Sequence, residues 1–369
     1  MELTWSTLLK QLSTESFIKG TPLTMSFELT ARCNQKCNMC YVSSPANDQA
    51  VIARELTAEQ WIQMGREARD AGLLILVLTG GEVFLREDFR QIYEGLLNLG
   101  LMIQINTNGT LINEETIQWL KKIPPSRVFI TLYGACHDTC AIVTGLGNSF
   151  ERTVWTIDAL IAAGIPVSIR TTVVKDNAHE YKEFVDFVYA RDRQLGIVNY
   201  ISPRREGCNS APEQNRLDPA DLVEYEANIN AYGRIKQGDN AEKAIEFDDP
   251  VYINDEQQSD PREAVRYPAF TCGSGRSSGW VTWDGRLTGC GLLNQPATYP
   301  MDVGFTEAWN ELKTKMAEVP ACQECVSCEF RNTCMTCPAR LMSETGSYDK
   351  AASYLCEAAK KRSKDIKLY

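Results

Sequence analysis

The chain has 369 residues, 44% apolar, 23% charged and 9% aromatic, a composition that excludes disordered, collagen-like and fibrous proteins. Its 38 Lys and Arg against 48 Asp and Glu give a net charge of −10, without the basic domain or stripe of a nucleic-acid binder. Fourteen cysteines and only two histidines, His137 and His179, are the departure from the ordinary.

No apolar run approaches the roughly 18 residues of a membrane helix. Met1-Glu2-Leu3-Thr4-Trp5 lacks the basic and apolar regions of a secretory signal. We therefore expect a cytoplasmic protein with neither a membrane nor a nucleic-acid partner. Thiols stay reduced there, so clustered cysteines read as metal or catalytic sites rather than disulfides. All-thiolate ligation favours iron–sulfur or zinc. The basic run Lys360-Lys361-Arg362, with Lys364 and Lys367, falls in a helical pattern and reads as a solvated face.

Residues 5–19 read as a short amphipathic helix (Trp5, Leu8, Leu9, Leu12), and Met25–Thr30 as a first strand. Thr57 with Gln60 has the spacing of a capping box that opens a helix, and Gly72 closes it. The unbroken apolar run Leu73–Thr79 is the pattern of a strand buried on both faces. A helix over 87–99 follows, carrying Phe89, Ile92, Tyr93, Leu96 and Leu97 at helical spacing. Strand 101–107, helix 114–122, strand 127–133, helix 149–163, strand 166–174, helix 178–191 and strand 196–201 complete the series. Six strands alternating with five helices predict a parallel sheet with right-handed crossovers, two units short of a closed eight-fold barrel.

Residues 203–268 are polar, hold six prolines and one helix near 219–232, and read as a bridge. From Thr271 on, Gly and Cys dominate, with little apolar periodicity before a final helix at about 349–366. Such a stretch buries little core, and metal clusters would supply its stability. The expected organisation is an N-terminal helical segment (1–23), a barrel (24–202), the bridge (203–268) and a cysteine-rich domain (269–369).

Cys33, Cys37 and Cys40 lie in Thr30-Ala-Arg-Cys-Asn-Gln-Lys-Cys-Asn-Met-Cys-Tyr41. Three thiolates so spaced can wrap one iron–sulfur cube and leave one iron open to a chelating ligand; a zinc knuckle lacking its fourth ligand is the plainer alternative. The loop follows a strand directly, at the end where parallel α/β proteins place their sites. Thr79-Gly80-Gly81-Glu82, Asn106-Thr107-Asn108-Gly109 and Leu132-Tyr133-Gly134 end the next three strands. Gly-Gly and Asn-Gly are each routine turns. Four such segments at the same ends of successive strands read together as a site.

Together, Cys33-x3-Cys37-x2-Cys40-Tyr41, Gly80-Gly81-Glu82 and Asn106-x-Asn108-Gly109 resemble the radical S-adenosylmethionine (SAM) superfamily over about residues 25–201. The resemblance implies an α/β fold, a partial (β/α)6 barrel of TIM type, in which a three-cysteine [4Fe-4S] cluster binds SAM through its fourth iron. It implies that Gly80, Gly81 and Glu82 meet the methionyl amine and Tyr41 the adenine. Asn106 and Asn108 would form the strand-end part of the SAM site, and Arg170 would pair with the SAM carboxylate.

The later cysteines, Cys272-x12-Gly285-x4-Cys290, then Cys325-x2-Cys328-x5-Cys334-x2-Cys337 and Cys356, are similar to the SPASM extension. The similarity implies two auxiliary [4Fe-4S] clusters, three clusters in all. Cys272, Cys290 and Cys337 would serve the first, and Cys325, Cys328, Cys334 and Cys356 the second. The last pair of the quartet is spaced by two residues where the family usually has three, and no cysteine lies between Cys272 and Cys290. Cys322, Cys208 or another residue completes the first auxiliary cluster, or one iron stays open; we expect the open iron. Cys136 and Cys140 read as loop packing, His179 as a surface or capping residue, and Trp280 and Trp283 as packing.

The resemblance implies a radical SAM oxidoreductase. An electron from the reduced cluster splits SAM into methionine and a 5′-deoxyadenosyl radical, which removes hydrogen from a substrate at the barrel mouth. The segments Val143–Arg152 and Pro203–Arg205 look most like maturases of ribosomally made peptides, which form thioether or carbon–carbon cross-links. Formylglycine formation of the anaerobic sulfatase-maturase type, small-molecule oxidation and a non-catalytic iron–sulfur electron-transfer protein are the alternatives. With only 32 residues before Cys33, we expect leader-peptide binding by a separate protein or another surface, and an electron donor such as flavodoxin or ferredoxin.

Overall fold

The computed structural model describes residues 5–203, 205, 212–237, 246–247, 262 and 265–365; Cys208 and Lys367 lie outside them. Helix α1 (Trp5–Lys19) leads into six parallel strands: β1 (Thr24–Glu28), β2 (Ile75–Thr79), β3 (Met102–Thr107), β4 (Arg127–Thr131), β5 (Val167–Thr172) and β6 (Leu195–Val198). They are joined through α2 (Ala58–Asp70), α3 (Phe89–Leu97), α4 (Glu114–Lys122), α5 (His137–Thr144), α6 (Ser149–Ala162) and α7 (Tyr181–Tyr189). The capping box at Thr57 is present: Thr57 Oγ1 accepts from Gln60 N, and Gln60 Oε1 accepts from Thr57 N.

Along β3 and β5 burial alternates with the pleat. Ile103, Ile105, Val167 and Ile169 join the main apolar core. Arg170 and Thr172, on the opposite face of β5, line the chamber at the sheet's carboxyl edge.

Two regions outside the six-strand unit extend the sheet. After α8 (Pro219–Gln237), β7 (Glu246–Phe247) pairs parallel to β6, while β8 (Ser278–Val281) pairs parallel to β1. Antiparallel β9 (Leu287–Thr288) and β10 (Ala297–Thr298) follow, giving ten strands in the order β10-β9-β8-β1-β2-β3-β4-β5-β6-β7. The cysteine-rich region thus begins as an added edge of the barrel sheet.

Its expected lack of a core is corrected by α9 (Phe305–Ala317). Phe305, Ala308, Trp309, Leu312 and Met316 are buried and join the main core. Their spacing is a helical stripe, and each large side chain so buried contributes about 1.5–3 kcal/mol. Trp309 Nε1 donates to Gly20 O at 2.9 Å, fastening α9 to the turn after α1. Helices α10 (Pro338–Thr345) and α11 (Ser353–Asp365) close the described chain.

The basic run on α11 needs a second correction. Lys360, Lys361 and Lys364 are exposed, but Arg362 is buried and donates in two prongs to Glu226 of α8 at 2.7 and 2.8 Å. Packing against α8 takes this residue out of the solvated face. Among the described residues no helix is long and apolar enough to cross a membrane.

Candidate active site

The loop leaving β1 is clamped from three sides. Gly81 N donates to Thr30 O at 2.7 Å and Glu82 N to Arg32 O at 2.9 Å, so the turn after β2 lies directly on the cysteine loop. The two glycines make this approach possible. A Cβ on Gly80 would stand 2.4 Å from Thr30 O, and one on Gly81 2.2 Å from Arg32 O; Gly80 also has φ +151°.

Below the loop, Glu55 accepts from Arg32 Nε and Nη2 at 2.8 and 2.9 Å and from the Thr30 hydroxyl. On the third side, Lys36 N donates to Thr144 O at 2.8 Å and Asn38 N to Val143 O at 3.0 Å. The last turn of α5, a helix the sequence reading missed, therefore holds the middle of the loop.

Glu82 is fully buried. Oε1 accepts from Thr107 Oγ1 at 2.8 Å and Phe84 N at 3.1 Å, and Oε2 from Asn108 N at 2.8 Å. Burial pushes its carboxyl up from the ordinary value, and these three bonds pull it back. The Asn108 amide donates to Asn34 Oδ1 at 3.0 Å and to Cys33 Sγ at 3.7 Å. Asn106 Nδ2 donates to Thr79 Oγ1 at 3.4 Å, and its Oδ1 is buried with no hydrogen-bond partner.

Burial, aided by the Glu82 charge, pushes the Cys33 thiol up to about 12, and burial likewise raises Cys37 and Cys40. Thiols in such surroundings are neutral until a metal displaces their protons. Among the described residues no three Cys, His, Asp or Glu converge as ligands of a single metal ion. A multi-iron cube spreads its cysteines over a wider cage than one ion does.

Cys37, Cys40 and Tyr41 open on a chamber of about 580 Å³ that Cys290 and Cys337 also line. Burial, with the charges of Cys337 and then Cys272, pushes Cys290 up to about 12. Arg170 lines the same chamber, its guanidinium 3.9 Å from the centre of the Phe129 ring. Its stem passes Gly196, where a Cβ would come within 2.9 Å. Arg340 and Tyr200, stacked at 4.3 Å, also line it; no motif in the sequence announced them. Trp280, expected only to pack, lines the chamber too. Trp283 does pack, against Ala31, Val42 and Val51.

A second cavity, about 430 Å³, is lined by Cys325, Cys328, Cys334 and Cys356. Cys322 is buried, hydrogen-bonded to Cys325 of this outer set, and lines a smaller cavity together with Cys325 and Cys337. Cys136 donates to buried Glu180 at 3.2 Å, Cys140 is buried, and His179 is exposed.

Residues 27–188 match the radical SAM superfamily. The chain carries a radical SAM domain. The AdoMet-dependent heme synthase of Methanosarcina barkeri is 28% identical over 347 residues, 91% of this chain and 96% of that one. The antilisterial bacteriocin subtilosin biosynthesis protein AlbA of Bacillus subtilis is 25% identical over 331 residues, 86% and 67% of the two chains. Streptococcus suis SuiB bound to its precursor peptide SuiA superposes with a TM-score of 0.72 at 18% identity, covering 96% of this chain and 82% of that one. The partial-barrel fold with a cysteine-rich C-terminal region is thus the fold of this radical SAM enzyme.

Proposed function

We propose that this radical SAM enzyme modifies a ribosomally made peptide, removing two hydrogens to close a thioether or carbon–carbon cross-link. The observation that carries the reading is the common chamber, which the Cys37–Tyr41 loop and the Cys290 and Cys337 wall both face. AlbA, named for subtilosin biosynthesis, and SuiB, solved with a precursor peptide, support a peptide as substrate.

The donor sets fit iron–sulfur clusters, being all-thiolate and, except for the exposed Cys272, half-buried. Cys33, Cys37 and Cys40 would hold a [4Fe-4S] cluster. Cys272, Cys290 and Cys337 would hold a first auxiliary cluster, and Cys325, Cys328, Cys334 and Cys356 a second. SAM would lie against Tyr41, Gly80, Gly81, Glu82, Asn106, Asn108 and Arg170. The buried, unpartnered Asn106 Oδ1 supports this, as an acceptor suited to a ligand N–H or O–H.

The bound cofactors supply the radical that takes a hydrogen atom from an unactivated carbon. The chain's own work is to exclude water and hold that carbon in line. Met39, Val198, Ile201 and Leu292 give the chamber its apolar lining. Glu82, already holding three donors, has lone-pair capacity left for one more.

Cys322 hydrogen-bonds to Cys325 of the outer set, leaving Cys272, Cys290 and Cys337 as the thiols that would serve the first auxiliary cluster. This supports an open iron there, able to take a substrate thiolate. The division at residues 23, 202 and 268, a flavodoxin- or ferredoxin-type donor, a separate leader-binding protein and a cytoplasmic setting complete the proposal.

Small-molecule oxidation is the second reading. The Methanosarcina relative, named as a heme synthase and matched over nearly its whole length, favours a tetrapyrrole as that molecule.

Anaerobically reconstituted protein, dithionite and SAM, incubated with peptides encoded beside the gene, would test the two. The proposal expects 5′-deoxyadenosine and a peptide lighter by two hydrogens. Turnover of a porphyrin but of no peptide would favour the second reading, and no nucleoside release in either case would overturn both.

A further inference from the structure

Glu28, the last residue of β1, is 1% exposed. Its carboxylate accepts from Arg205 Nη1 and Nη2 at 2.9 and 2.6 Å and from Trp280 Nε1 of β8 at 2.9 Å. Arg205, a residue of the bridge, is equally enclosed at 6% exposure. Its Nη1 also reaches Gly291 O at 3.4 Å, and its guanidinium carbon lies 5.8 Å from the centre of the Tyr41 ring. Tyr41 directly follows Cys40, and Gly291 directly follows Cys290. One guanidinium therefore touches the neighbour of a cysteine from each set facing the chamber.

A buried ion pair is a poor stabiliser compared with apolar residues of the same size, so stability alone is a weak reason for this one. In such an enclosed place an unbalanced charge acts over several ångströms with little screening. Glu28 and Arg205 carry opposite charges 2.6 Å apart, both enclosed, so beyond the pair their fields oppose one another.

We propose that Glu28 and Arg205 form one positioning and charge-balancing element shared by the SAM-binding centre and the first auxiliary centre. The pair holds the two cysteine loops in register and keeps the space between them neutral. This rests on the cluster reading above and adds to it that the two centres are set jointly. A cluster's reduction potential follows the net charge around it. Removing the Glu28 charge strands a cation beside both centres, favours their more negative reduced forms and raises both potentials.

The test is an anaerobic redox titration of the reconstituted full chain, followed by electron paramagnetic resonance, with iron content measured on the same samples. Glu28→Gln is expected to keep its iron and to shift both centres upward together. The neutral double variant Glu28→Gln/Arg205→Gln is expected to return both to the parental values. A purely structural role would cost iron or stability without this paired shift and return.

Full iron with neither potential moved, or only one moved, would overturn the inference and leave the cluster reading standing. Should Glu28→Gln fail to load, the double variant decides. Full loading at parental potentials supports charge balance, whereas failure to load or shifted potentials contradicts it. A parent chain that takes up no iron in these sites removes the cluster reading, and this inference with it.

Discussion

Glu82 and Asn108 sit on different strand ends, yet Glu82 Oε2 accepts the Asn108 backbone N–H at 2.8 Å in a fully buried bond. That bond ties the Gly80-Gly81-Glu82 turn after β2 to the loop after β3. Both loops in turn bear on the cysteine loop after β1. In Glu82→Gln one carboxylate oxygen becomes an N–H₂ group and faces a donor. We predict a loss of about 1–3 kcal/mol in denaturant unfolding, the scale of a buried unmatched polar group, together with weaker SAM binding by titration.

Gly81 has no room for a side chain. A methyl there meets Arg32 O at 2.2 Å, and a backbone carbonyl cannot swing aside as a flexible side chain can. Gly81→Ala is predicted to displace the cysteine loop. Iron held by Cys33, Cys37 and Cys40 should be lost while the C-terminal sets keep theirs. Iron analysis of this variant beside a Cys33→Ala control checks it, and full loading would contradict it.

Arg86 is buried and satisfied at every prong. It donates to Leu29 O at 2.8 Å, Leu56 O at 2.9 Å and both Asp88 oxygens at 2.8 and 2.7 Å, with Glu55 3.5 Å away. Arg86→Met leaves Leu29 O and Leu56 O without this buried donor while Glu55 keeps its pair with Arg32, and we predict a cost of about 1–3 kcal/mol. Arg90, paired with Glu94 on the exposed side of α3, serves as the comparison. Arg90→Ala should change stability by less than about 0.5 kcal/mol. Equal losses in chemical denaturation would refute the contrast.

The C-terminal region has its own apolar support in α9. Iron removal by a chelator is therefore predicted to leave Phe305–Ala317 folded, with near-ultraviolet circular dichroism largely kept. Trp309→Ala, which empties a buried site and drops the bond to Gly20 O, should cost about 3–5 kcal/mol even in the iron-free chain. Collapse of all tertiary signal on chelation would contradict this.

The barrel was readable because its strands are short apolar runs and its helices carry apolar stripes between caps. The Thr57 cap and the Leu73–Thr79 run each specify one element by local chemistry. Helix α5 escaped because His137–Thr144 carries no strong stripe and follows a loop that resembles a turn. Helix α9 escaped because its 305, 308, 309, 312, 316 stripe is a single isolated one, set between glycine- and cysteine-rich stretches with no apolar pattern of their own.

In the site, Cys33, Cys37, Cys40, Gly80, Gly81 and Glu82 are local in sequence, and their spacing carries their chemistry. Glu28 with Arg205, and Arg340 on Tyr200, are brought together only by the fold. Nothing in a one-dimensional pattern marks an arginine that will cross from the bridge to the end of β1.

The central claim is that Cys33, Cys37 and Cys40 hold the cluster that opens SAM. The most direct test is release of 5′-deoxyadenosine by reduced, anaerobically reconstituted protein, measured for the parent and Cys33→Ala. The parent should release the nucleoside and the variant should not, with its C-terminal iron retained. Equal release from both, or none from a fully loaded parent, would contradict the account.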